Sequence, residues 1–144
     1  SLLKIISDSE TIKIDPLTGN SSLKKQPILI KTKDDVLSFE VSVASTESAR
    51  IKGLMDVKSM KDNEGMLFIF PDSAERSFWM KNTYIPLDII FFDENLTVVN
   101  IHENTEPLNE SIIYNSDGPS RYVLELNGGV SASNNIEIGS TMEL

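Results

Sequence analysis

GMLFIFPDSAERSFWMKNTYIPLDIIFF, residues 65–92, decides the fold. It holds the single Trp, Trp79, with five of the six Phe and two of the five Met. Its apolar runs are GMLFIF, SFWM and LDIIFF, separated by Pro71-Asp72-Ser73 and by Lys81-Asn82-Thr83. Short apolar runs bounded by turn residues are strand signals. They predict strands at 66–70, 78–80 and 87–92. Runs apolar on both faces predict central strands covered on two sides, as in a closed barrel or a helix-packed sheet.

Upstream, residues 27–31 form a short predicted strand and Asp34-Asp35 a turn. Leu37, Phe39, Val41 and Val43 alternate with polar residues, the period of a half-buried strand. Ser45 or Thr46 suits a helix N-cap, with Glu47 in the first turn. Ala49, Ile51, Leu54 and Met55 share one helical face, and Gly53 either ends that helix or lets something pack closely. Downstream, Asp93-Glu94-Asn95 turns the chain into a strand over 96–102. A polar loop follows over 103–119, then a strand over 121–126, a break at Gly128-Gly129, one helical turn within 130–135 and a last strand near Met142. Residues 1–26 read as a loosely structured extension, with turn chemistry at 17–22 and an edge strand through Ile12 and Ile14 as the alternative. The expectation is a small α+β fold, mainly β: one antiparallel, barrel-like domain over 27–144 with one or two short helices.

The totals narrow the function. With 144 residues the chain is the size of one domain. Thirteen Lys and Arg against 22 Asp and Glu give a net charge of −9, which disfavours nucleic acid and anionic membrane surfaces as partners. There is no Cys and a single His, so thiol chemistry and multi-His zinc sites are excluded, and a Ser-His-Asp triad would run through His102 alone. No apolar run is long enough to span a membrane as a helix. No cofactor and no metal site are expected, since no acidic spacing matches a known calcium loop. A monomer is expected. An exported chain with its signal segment removed is the expected location, with the cytoplasm as the alternative.

Five blocks carry a resemblance: Arg50-Ile51-Lys52-Gly53-Leu54-Met55, Gly65-Met66-Leu67-Phe68-Ile69-Phe70, Phe78-Trp79-Met80-Lys81-Asn82-Thr83, Ile85-Pro86-Leu87-Asp88 and Tyr122-Val123-Leu124-Glu125-Leu126. In this order they resemble the domain of unknown function 192 family, over about residues 38–144. The resemblance implies a compact β-rich domain, often behind an export signal, and brings no settled activity. Two positions depart from the family pattern. Val57 stands where members often carry Arg, and Gly128-Gly129 stands where they usually show Ala-Gly.

Seven residues are candidates for a ligand site. Asp88 interrupts a wholly apolar run, so it must be paired, hydrogen-bonded or protonated. It is either a ligand anchor or general base, or a structural acceptor for the Asn82-Thr83 turn, Arg50 or Lys81. Lys81, Asn82 and Thr83 offer donors for a carbonyl, carboxylate or sugar hydroxyl, and equally suit a plain turn. Arg50 could clamp an anion, or pair with a core carboxylate. Trp79 suits a pocket wall or ordinary packing. Glu125 faces away from Tyr122, Leu124 and Leu126, toward solvent or toward Asp88. Three functions follow. The first is a module binding a small molecule or a partner at the rim formed by Trp79, Lys81, Asn82, Thr83, Asp88 and Arg50. The second is a hydrolase using Asp88 and Glu125 with Lys81 or Arg50. The third is a structural or accessory protein.

Overall fold

A computed structural model describes residues 1–2 and 24–144. The turn at 17–22, the alternative strand at Ile12 and Ile14, and most of the 1–26 extension lie outside the described residues. The elements in chain order are β1 Lys25–Lys31, β2 Val36–Ala44, α1 Glu47–Lys52, β3 Glu64–Ala74, β4 Ser77–Phe78, β5 Leu87–Phe92, β6 Val98–His102, β7 Tyr114–Asn115, β8 Ser120–Asn127, α2 Val130–Ser133 and β9 Thr141–Glu143. Seven strands form one sheet in the order β6-β5-β8-β3-β2-β1-β9, and β4 pairs separately with β7.

The sheet curls until its two ends touch. A bridge joins Thr97 to Thr141. The Val98 N–H donates to the Ser140 carbonyl at 2.8 Å and the Met142 N–H to the Leu96 carbonyl at 2.9 Å. Curling of this kind removes exposed strand edges. The barrel-like, mainly β fold read from the sequence is therefore the observed one. One pairing departs from it, since β2 and β3 run parallel, linked by a crossover through α1.

Two apolar clusters cover the two faces. Inside the curl lie Ile28, Ile30, Phe39, Val41, Leu67, Ile90, Phe92, Leu124 and Leu126, capped by Val130 and Ile136. On the outer face, Met66, Phe68, Phe70, Ile89, Phe91 and Val123 pack under Ala49, Leu54, Phe78 and Met80. All six residues of β5 are buried, as a strand apolar on both faces requires.

Local chemistry fixes the boundaries. The Thr46 hydroxyl caps α1 by accepting the Ala49 N–H at 3.2 Å. The helix ends at Lys52, earlier than its apolar spacing suggested, because Gly53 turns out of it at φ +49°. Pro71-Asp72-Ser73 does not end β3 as expected. The strand runs on to Ala74 with its register broken between Ile69 and Ala74, an irregularity suited to Pro71, which has no N–H for the ladder. The strand expected at 78–80 is shorter than predicted: β4 stops at Phe78. Beyond it, Trp79 pairs its backbone with Ser1.

Candidate functional site: a slot floored by Glu125

Directly opposed residues share a face of a sheet, and successive residues alternate. Asp88 lies opposite Leu126, whereas Glu125 lies opposite Ile89 and Met66. Asp88 therefore points into the curl and Glu125 to the outer face. The two carboxylates nominated for acid-base chemistry stand back to back and share no cleft.

Asp88 is fully buried and saturated with donors. Its Oδ1 accepts the Asn104 N–H at 3.0 Å and the Gly129 N–H at 3.1 Å. Its Oδ2 accepts the Ser131 N–H at 2.8 Å and the Ser131 hydroxyl at 2.7 Å. Gly129 sits at the N-cap of α2 with φ +95°, a conformation that suits glycine, and has no side chain with which to cap it. Asp88 supplies the missing acceptor from the neighbouring strand. These donors replace the expected ones: none comes from Asn82, Thr83, Arg50 or Lys81.

Lys81, Asn82 and Thr83 form a turn closed by the Thr83 N–H on the Met80 carbonyl at 3.1 Å. Asn82 takes the positive φ of +52°, which Asn tolerates. The buried Thr83 hydroxyl donates to the Lys81 carbonyl at 3.1 Å. The Lys81 ammonium lies 5.3 Å from the Trp79 ring centroid. The Arg50 guanidinium donates to the carbonyls of Ser45 at 2.8 Å and Ile69 at 3.0 Å, and stands over the Phe70 ring. Arg50 and Trp79 border one site with Glu125, while Asp88 lies on the other side of the sheet.

That site is a narrow slot holding Ser1 and Leu2. The Ser1 ammonium is 3.5 Å from Glu125 Oε2 and donates to the Trp79 carbonyl at 3.3 Å. The Trp79 N–H donates back to the Ser1 carbonyl at 3.2 Å, and the Leu2 N–H donates to the Arg50 carbonyl at 3.1 Å. Gly53 lies against Ser1 so closely that a Cβ there would come within 2.6 Å of the serine Cβ and 3.2 Å of the Phe68 ring. Beyond Leu2 the slot opens into a groove of about 370 Å³ lined by Arg50, Phe70, Asp72, Arg76 and Ser77.

Glu125 is the anomaly. It is fully buried, and neither carboxyl oxygen takes a hydrogen bond among the described residues. The Trp79 indole N–H is buried without a hydrogen-bond partner among the described residues as well. Burial pushes the Glu125 carboxyl above its ordinary value of 4.5, and the nearby Ser1 ammonium only partly opposes this. A carboxyl whose folded pKa is raised holds its proton more tightly in the native state. Its contribution is therefore favourable at low pH and lost as pH rises from about 4.5 toward the folded value. Urea unfolding of wild type and Glu125→Gln at several pH values checks this. The glutamine variant is expected to gain on wild type steadily above that point, whereas parallel curves would show an unshifted carboxyl.

Residues 28–144 match the sequence profile of domain of unknown function 192, described as Uncharacterized ACR. The chain belongs to the DUF192 family. Two crystal structures show the same fold. One is a protein of Sinorhizobium meliloti 1021, provisionally called a transcription regulator. It is 36% identical, with a TM-score of 0.83, over 87% of this chain and 97% of that one. The other is a protein of unknown function from Novosphingobium aromaticivorans DSM 12444. It is 34% identical, with a TM-score of 0.79, over 99% of both chains. Comparison with curated proteins finds no match. Four of the five blocks that carry the DUF192 resemblance meet at the slot, through Arg50 and Gly53, Phe68, Trp79 and Glu125. The fifth contributes Asp88.

Sequence reasoning missed Gly53 as a wall of the site and Ser131 and Asn104 as partners of Asp88. The close-packing option at Gly53 was the available signal. For Asn104 and Ser131 there was none, because their bonds to Asp88 span 16 and 43 residues.

Proposed function

We propose that this DUF192 chain is a binding module whose site is the slot between Trp79, Arg50 and Gly53, with Glu125 as its floor. The observation that carries this reading is the Glu125 carboxyl, buried and without a hydrogen bond among the described residues. Burying such a group opposes folding. Unlike Asp88, it caps no helix, and its charged neighbour among the described residues is the Ser1 ammonium at 3.5 Å. Perturbed, under-satisfied carboxyls of this kind concentrate at functional sites. The hydrolase reading lacks its second acid, since Asp88 faces the other way. The regulator label of the Sinorhizobium protein is not carried over, because a net charge of −9 supplies no basic footprint for DNA.

Thermal unfolding of the full chain with primary amines, carboxylates and neutral sugars tests the reading. At ten times its Kd, a ligand stabilises the native state by about 1.4 kcal/mol, roughly 4 °C for a domain of this size. At least one compound is expected to do so for wild type and not for Glu125→Gln. A panel that shifts neither protein, or shifts both equally, would remove the slot from consideration.

A further inference from the structure

We propose that Arg76 and Arg121 form an anion site that takes a ligand carboxylate in the place held by the Asp72 side chain. The site draws on β3, the 75–77 turn and β8, and Glu125 takes no part in it. The chain has three Arg, at 50, 76 and 121, against a net charge of −9. All three gather where the β3–β8 register breaks. Arg50 donates to the Ile69 carbonyl at 3.0 Å, Arg121 Nε to the Phe70 carbonyl at 3.3 Å and Arg76 Nε to the Ser120 carbonyl at 3.0 Å. Arg76 also stands 3.9 Å from the centre of the Phe70 ring.

Part of this arrangement serves the fold, since the guanidinium donors meet backbone carbonyls beside Pro71. That role occupies the Nε atoms of Arg76 and Arg121. Their forked ends remain. Neither Nη of Arg121, nor Nη1 of Arg76, makes a hydrogen bond among the described residues. The Asp72 carboxylate sits at this fork. Arg76 Nη2 donates to Asp72 Oδ1 at 2.9 Å and to the Asp72 carbonyl. Arg76 by hydrogen bond and charge, and Arg121 by a smaller charge effect, hold the Asp72 carboxyl below its ordinary value of 3.8. Asp72 thus marks a point where both guanidiniums act on one carboxylate. Its side chain is 70% exposed, whereas that of Arg76 is 13% exposed. Exposed ion pairs are weakly held, so Asp72 gives way to a competing carboxylate. Arg76 stays, pinned by Ser120 and stacked on Phe70. A planar fork fixed before the ligand arrives suits carboxylate recognition. The groove beside it, lined also by Glu75 and Ser77, gives access.

Three Arg give three Nε–H signals, so ¹H–¹⁵N spectra of the full chain read the site directly. The probes are succinate, N-acetyl-aspartic acid amide and inorganic phosphate, with sodium chloride as the control. Succinate represents a free organic acid and the aspartyl amide an acidic peptide side chain; the tighter binder names the source. Either carboxylate is expected to shift the Arg76 and Arg121 signals to saturation, and equally in wild type and Glu125→Gln. Asp72→Asn removes the competing carboxylate and is expected to tighten binding at least about threefold. Arg121→Gln is expected to weaken it at least about threefold. Shifts no larger than those from sodium chloride would show screening alone and overturn the site. An Asp72→Asn protein that binds no better than wild type would do the same. Tighter binding of phosphate would overturn the carboxylate assignment. Loss of binding in Glu125→Gln would put the ligand in the slot and overturn a separate site.

Discussion

Asp88→Asn is expected to lower the unfolding free energy by about 3 kcal/mol, and Asp88→Ala by more. Both carboxylate oxygens are in use: one accepts Asn104 and Gly129, the other the backbone and hydroxyl of Ser131. An amide offers one oxygen. If it keeps Ser131, its NH₂ group confronts the N–H donors of Asn104 and Gly129. Each buried donor left unmade costs about 1–3 kcal/mol. Alanine abandons all of them, and the α2 turn and the loop at Asn104 then lose the atom that ties them to β5. Ser131→Ala removes one hydroxyl bond only and is expected to cost about 1 kcal/mol. Urea denaturation of the three variants checks the order. An Asp88→Asn protein as stable as wild type would mean that the carboxylate is not the tie described.

Phe78→Ala is expected to cost about 3–5 kcal/mol, the range for emptying a fully buried aromatic position. Phe78 stands edge-on to Phe68 at 5.1 Å and to Phe91 at 5.7 Å, and so links β4 to two central strands of the sheet. It also precedes Trp79, so its loss loosens the wall of the slot along with the core. Ile138, 69% exposed, provides the contrast. Ile138→Ala is expected to stay within about 0.5 kcal/mol of wild type. A mild Phe78→Ala phenotype in thermal unfolding would show that β4 is not part of the cooperative core.

The stretch 65–92 made the fold legible because its information is local. Apolar runs with turn residues between them specify strands, and a run apolar on both faces specifies a covered one. The cap at Thr46 and the exit at Gly53 are legible for the same reason. The parallel β2–β3 pair was hidden, since nothing within either strand announces the direction of its neighbour. The site divides along the same line. Asp88 stood out as a charge in an apolar run, yet its partners Asn104, Gly129 and Ser131 lie far along the chain. Glu125 was visible as the residue out of step with Tyr122, Leu124 and Leu126. Whether it faced water, Asp88 or a closed slot depended on what covers the outer face of the sheet. That cover comes from α1, the backbone of Trp79 and the first two residues, a tertiary arrangement without a local signature.

The carboxyl ¹³C resonance of Glu125, followed against pH in the full chain, tests the central claim most directly. A carboxyl closed off from water under the outer face of the sheet titrates above its ordinary value of 4.5. A Glu125 that titrates at the ordinary value would contradict the slot.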